Sequence, residues 1–222
     1  MNDPIPTTLS LFDALDDPPW QEAICPGAVV LRRFALRDAP AVLAALDEIT
    51  RLAPLRHMRT PGGYSMSVAM SNCGPYGWVS DTRGYRYDRL DPASGQPWPP
   101  MPALLRTLAA QAAAQAGFDG FAPDACLINC YQQGAKLSLH QDRDERDVSQ
   151  PIVSVSLGIP ANFQFGGPRR NDKPAKIPLT HGDVVVWGGP ARLHFHGVLP
   201  LKDAEHALTG KRRINLTFRK VT

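Results

Sequence analysis

The chain has 222 residues, 43% of them hydrophobic and 20% charged, with a net charge of +3, enough for one domain with a substantial core. Residues 1–20 hold four aspartates and four prolines and no long apolar run, which argues against a secretory leader or membrane-spanning helix and for a cytoplasmic protein. The four cysteines (Cys25, Cys73, Cys126, Cys130) form no C-x-x-C pair, so reduced, mostly buried thiols are expected rather than a disulfide or zinc framework.

Along the chain, Asp38 followed by Pro40 reads as a helix start. Val42, Leu43, Leu46 and Ile49 recur at helical spacing through about Ala53. The segment 56–90 has a different composition. It carries five of the nine Trp and Tyr residues, no Phe, and five arginines against two aspartates. Rings with a polar handle among arginines suit a stacked, flipped base and its phosphates, and equally a flap whose tyrosines cover the core edge. The turns 61–63 and 73–75 break the segment as expected of a mobile cover, or lid. A second helix is predicted from about Pro102 to Gly117, with Gly117 as its stop.

Beyond Asp124 the pattern becomes short strands, at 126–131, 151–159, 163–165, 183–187, 192–198 and 213–219, separated by Gly, Pro and Asn turns. With no helices between them, they predict antiparallel sheets closing into a sandwich or jelly roll, buttressed by the two earlier helices. The fold class expected is therefore α+β, mainly β, in a single domain spanning 1–222. Residues 1–55 carry four basic and eight acidic side chains, whereas 56–222 carry twenty and thirteen. That asymmetry permits a polyanionic partner without requiring one.

The chemistry-bearing pattern is His140-Gln141-Asp142 with a later histidine at His196. On a strand, His140 and Asp142 project from one face, and two imidazoles with one carboxylate leave open metal positions of the kind used by non-haem Fe(II) oxygenases. His194 shares parity with His196 and is the rival ligand. In Arg213–Arg219, Ile214, Leu216 and Phe218 alternate with Arg213, Asn215, Thr217 and Arg219. A strand face with two guanidinium forks suits an anionic dicarboxylate, with a solvated strand ending in a basic tail as the plainer alternative. Asn129 and Tyr131 share a face by the same alternation.

These motifs, together with residues 60–70 (TPGGYSMSVAM), 123–129 (PDACLIN), 134–142 (GAKLSLHQD), 151–157 (PIVSVSL) and 182–189 (GDVVVWGG), carry a resemblance. The chain resembles the AlkB family of Fe(II)- and 2-oxoglutarate-dependent dioxygenases over about residues 12–219. The resemblance implies a double-stranded β-helix core at about 124–219 and a nucleotide-recognition lid at about 56–90. It implies His140, Asp142 and His196 as iron ligands, with His196 preferred to His194 because Gly197 follows it. Asn129, Tyr131, Arg213, Asn215 and Arg219 are implied for 2-oxoglutarate. Trp78, Tyr85, Asp144, Arg170, Thr60, Tyr64 and Met66 are implied for substrate. O2 and 2-oxoglutarate are then cosubstrates, and succinate, CO2 and formaldehyde leave as an N-methyl group is oxidised.

The implied partner is alkylated single- or double-stranded DNA, with RNA left open, bound by a monomer. A lesion such as 1-methyladenine or 3-methylcytosine carries a positive charge that Trp78 would attract and an exocyclic amine that Asp144 would pair with. By residue type alone, the run 142–147 and the turn holding Arg169 and Arg170 read as solvated surface charge. Cys130 stands where the family has arginine and His194 where it has an aromatic residue. Two other function classes remain: an oxygenase of this type acting on a peptide or small molecule, and a binding module with structural zinc, which three ligands rather than four disfavour.

Overall fold

A computed structural model describes residues 18–222; the expectations for residues 1–17 lie outside them. The chain opens with a hairpin, β1 (Trp20–Cys25) and β2 (Ala28–Arg32), followed by helix α1 (Ala39–Leu52). Four strands follow: β3 (Arg56–Arg59), β4 (Ser65–Cys73), β5 (Gly77–Asp81) and β6 (Gly84–Asp88). Helix α2 (Ala103–Gln115) then precedes β7 (Ala125–Tyr131), β8 (Leu137–His140), β9 (Ile152–Gly158), β10 (Ala161–Phe165) and β11 (Ala175–Leu179). The chain closes with β12 (Val184–Trp187), β13 (His196–Val198) and β14 (Arg213–Arg219).

The strands form an eight-stranded sheet, ordered β1-β2-β12-β9-β14-β7-β4-β3, and a four-stranded sheet, β11-β10-β13-β8, with β5 and β6 a separate hairpin. Antiparallel pairing throughout these ladders makes the two sheets a jelly roll.

The expected helices are present, and their ends follow local chemistry. Asp38 occupies the N-cap of α1 with Pro at the first turn, and Gly117 adopts φ +87° just past α2. Its N–H and that of Phe118 return to the carbonyls of Ala114 and Ala113, closing the helix end. Both helices cover the outer face of the large sheet. Val42, Leu46, Leu105 and Leu108 pack there with Ile128, Val155, Val186 and Leu216. Alternation sends Leu127, Tyr131, Ile152, Val185 and Trp187 the other way, against Phe163 and Phe165 of the small sheet. Buried apolar residues therefore line both faces of β12, which explains why that strand reads as a continuous apolar run, whereas β9 turns Ser154 and Ser156 toward Asn215 and Arg213.

One expectation is corrected. The strand expected over 192–198 is only three residues long, His196–Val198; a 3-10 turn at Gly189–Ala191 and a further turn through Leu193 precede it. The segment 56–90 is divided, with β3 and β4 strands of the large sheet and the β5–β6 hairpin standing apart. Edge strands β1 and β11, and β2 beside β1, carried too little alternation to be read. Among the described residues, the four cysteines are free thiols and no helix is long and apolar enough to cross a membrane.

Candidate active site

Strand β8 ends at His140, so Asp142 lies just beyond it rather than on it. The chain still returns the carboxylate to the imidazole: His140 Nε2 is 3.6 Å from Asp142 Oδ1, and His196 Nε2 is 3.6 Å from Asp142 Oδ2. His196 pairs with His140 across the β13–β8 ladder, with the rings 4.4 Å apart. Ligand atoms of the three residues lie within 4.8 Å of one another, and among the described residues no fourth His, Cys, Asp or Glu joins them.

Backbone carbonyls fix both tautomers. His140 Nδ1–H donates to Ser138 O at 2.9 Å and His196 Nδ1–H to His194 O at 3.0 Å. Since a carbonyl only accepts, each neutral ring carries its proton on Nδ1 and its lone pair on Nε2, turned toward Asp142 and available to a metal. His194 contributes its carbonyl to this arrangement while its ring packs 5.6 Å from Phe165, outside the ligand group.

Burial works against the Asp142 anion, yet the carboxyl is held well below the ordinary aspartate value by the Arg219 guanidinium and the two imidazoles. Arg219 donates to Asp142 Oδ2 through Nη2 (2.6 Å) and Nε (3.1 Å). Burial and the neighbouring His140 push the His196 pKa down, which favours the neutral imidazole that metals bind.

Arg219 also lies 3.3 Å from Glu145 Oε1, and Arg192 reaches Glu145 Oε2 at 2.9 Å. The Tyr87 hydroxyl donates to Glu145 Oε1 at 2.5 Å. Glu145 is therefore buried, against the reading of 142–147 as a solvated run. No local signal reveals this, because its partners come from β6, the turn before β13 and β14.

Arg213, Asn215, Thr217 and Arg219 all face the cavity between the sheets and are buried, so the basic-tail alternative fails for this strand. Arg213 is only partly satisfied. Nη2 donates to Ser156 Oγ at 3.0 Å and the guanidinium lies 5.0 Å over the Tyr131 ring, but Nε and Nη1 have no partner. The Oδ1 of Asn129 is likewise unpaired, and its Nδ2 donates to Asn215 Oδ1 at 3.2 Å. Two unpaired N–H donors on a buried cation, in the cavity that holds the histidine and aspartate cluster, fit a carboxylate of 2-oxoglutarate.

The cavity encloses about 750 Å³. Trp78 and Tyr85 stand on its wall with rings 5.6 Å apart and 14° from parallel, and Trp78 Nε1 donates to Asp144 Oδ2 at 3.0 Å. Arg170 also lines it, donating to Leu139 O at 2.9 Å and lying over the Phe195 ring at 5.5 Å. Thr60 and Met66 reach the wall, whereas Tyr64 is 78% exposed and outside the lining. Cys130 falls by alternation on the sheet face opposite Asn129 and Tyr131, so the departure there leaves the cavity wall unchanged.

A jelly roll with two histidines and an aspartate around an open, cation-lined cavity defines the class. The chain belongs to the 2OG-Fe(II) oxygenase superfamily, whose model matches residues 27–219. It is an Fe(II)-dependent dioxygenase that uses 2-oxoglutarate and O2. It is 57% identical to the alpha-ketoglutarate-dependent dioxygenase AlkB of Salmonella typhimurium over 96% of this chain and 97% of that one. It is also 37% identical to the nucleic acid dioxygenase ALKBH1 of Mus musculus, over 58% of this chain and 33% of the relative. The solved structure of OsALKBH1 superposes with a TM-score of 0.79 at 29% identity, covering 90% of this chain and all but 1% of that one.

Proposed function

We propose that this dioxygenase repairs N-alkylated bases such as 1-methyladenine and 3-methylcytosine in single- or double-stranded DNA, with RNA as a further substrate. The observation carrying this reading is the Trp78–Tyr85 stack and the Asp144 carboxylate on the wall of the cavity that holds His140, Asp142 and His196. The name of the mouse relative, a nucleic acid dioxygenase, supports it.

His140, Asp142 and His196 hold the iron. Arg213 pairs one carboxylate of 2-oxoglutarate, and Asn129, Tyr131, Asn215 and Arg219 complete that pocket. When bound, the iron with its two cosubstrates supplies oxidative decarboxylation to succinate and CO2 and oxidation of the N-methyl carbon. The hydroxymethyl product then breaks its C–N bond, giving formaldehyde and the repaired base.

The chain's own task is selection and placement. The Trp78 face attracts the positive charge that methylation puts on the base, and Asp144 exchanges its Trp78 partner for the exocyclic amine. Arg170 at the cavity wall favours the sugar–phosphate chain, and Thr60, Tyr64 and Met66 on the β3–β4 turn and strand flank the path of the nucleotide. The β5–β6 hairpin with β3 and β4 serves as the recognition lid of a single domain spanning 1–222. We assign a monomer, since the cavity mouth must stay open to a polymer, and the cytoplasm.

Succinate formation should rise when the Fe(II)-loaded protein meets a methylated oligonucleotide and stay at its basal rate with the unmethylated strand. Equal stimulation by both, or by peptides alone, would move the substrate to another class.

A further inference from the structure

Behind Asp142, Glu145, Tyr87 and Arg192 form a buried cluster around Arg219. Glu145 has 2% of its side chain exposed, yet accepts from Tyr87, Arg192 and Arg219. Arg192 also donates to the Asp142 carbonyl at 2.5 Å and to Gln150 O at 2.9 Å, fixing the backbone that carries the aspartate. Two guanidinium groups thus balance two carboxylates, Asp142 and Glu145, away from water. Such an arrangement is costly to disturb on one side only.

The cluster also spans two parts of the fold. Tyr87 lies on β6, two residues from Tyr85 on the stacking wall, whereas Asp142 sits among the histidines. One hydrogen bond, Tyr87 to Glu145, joins the base-facing hairpin to the group that holds Arg219 against Asp142.

We propose that Glu145 is a positioning residue that shares Arg219 with Asp142 and, through Tyr87, couples occupancy of the β5–β6 hairpin to the geometry of the metal carboxylate. Without the Glu145 charge, Arg219 is drawn wholly onto Asp142 and competes with the metal for its lone pairs. Without the Tyr87 hydroxyl, the charge balance survives but the hairpin loses its link to Glu145 and keeps toward the site only the Trp78–Asp144 hydrogen bond, which does not reach Arg219.

The inference rests on His140, Asp142 and His196 holding the metal, and the test separates the two claims. Co(II) titration of the wild type, followed by visible absorption with 2-oxoglutarate and then a methylated oligonucleotide, gives the reference. A wild type that binds no Co(II) defeats the ligand assignment itself. Glu145→Gln should weaken Co(II) binding about tenfold to 100-fold, as for other groups that orient metal ligands. Tyr87→Phe should keep Co(II) affinity within about threefold of the wild type, lose most of the absorption change on adding oligonucleotide, and yield less formaldehyde per succinate. Wild-type Co(II) affinity in folded Glu145→Gln, or an intact oligonucleotide response in Tyr87→Phe, overturns the proposal. Should Glu145→Gln fail to fold, the Tyr87→Phe response decides alone.

Discussion

Arg213 and Arg219 project from the same face of one strand, yet their surroundings give them different duties. Arg219 is engaged by Asp142 and Glu145, whereas Arg213 keeps two unpaired donors in the cavity. Arg213→Met should therefore weaken 2-oxoglutarate binding by about 2–5 kcal/mol, or roughly 30-fold to several-thousand-fold, as for truncating one partner of a buried charge pair. Calorimetric titration of the Co(II) protein checks this, and unchanged affinity would remove Arg213 from the dicarboxylate pocket. Asp144→Ala should act on selection instead. It should shift the relative rates on methylated adenine and cytosine while leaving the Kd for 2-oxoglutarate alone, and competition between the two oligonucleotides reads it directly.

At the scale of elements, the alternation of 213–219 announced which side chains face inward, and the strand delivers all four of them to the cavity. The two-residue step from His140 to Asp142 also pointed to side chains that the fold brings together, although the strand stops at His140. What sequence could not supply was the position of Glu145, because its burial depends on three arriving elements rather than on its neighbours. Gly197 shows a local constraint of another kind. A Cβ there would meet Leu137 O at 2.6 Å and the Ser138 carbonyl carbon at 3.1 Å, so β13 can lie this close to β8 only without a side chain. Gly197→Ala should cost about 1–3 kcal/mol, the usual range for overpacking, and weaken metal binding as His196 moves from His140. Urea unfolding with and without Co(II) tests this; equal midpoints for variant and wild type would contradict it.

Across the whole molecule, two sheets and two helices were legible because long apolar periodicities survive averaging, whereas the division of 56–90 between the large sheet and a free hairpin was not. That division depends on tertiary anchors. Arg56 at the start of β3 donates to both carboxylate oxygens of Asp91, one at 2.8 Å, and lies 5.5 Å over the Trp98 ring, whose Nε1 donates to Asp88 O at 3.0 Å. Burial alone would raise the Asp91 pKa, but Arg56 and the Ala93 N–H outweigh it and hold it below the ordinary value. A depressed carboxyl pKa stabilises the fold fully above the unfolded aspartate range, and this contribution is lost as pH falls through the folded value. The Tm gap between wild type and Asp91→Asn should hence be constant near neutrality and shrink in acid; a gap that widens on acidification would reverse the sign. The excess of basic charge after residue 55 fits the same molecule-wide reading of a polyanionic partner.

The central claim joins an iron site at His140, Asp142 and His196 to oxidative removal of a methyl group from a nucleic-acid base. Formaldehyde release from an oligonucleotide carrying 1-methyladenine, with Fe(II), ascorbate and 2-oxoglutarate, measures both at once when run beside Asp142→Ala. Release by the wild type and none by the variant is the predicted result. Absence of formaldehyde from a wild type that demonstrably binds iron and 2-oxoglutarate would contradict repair of this lesion, and equal release by Asp142→Ala would contradict the site.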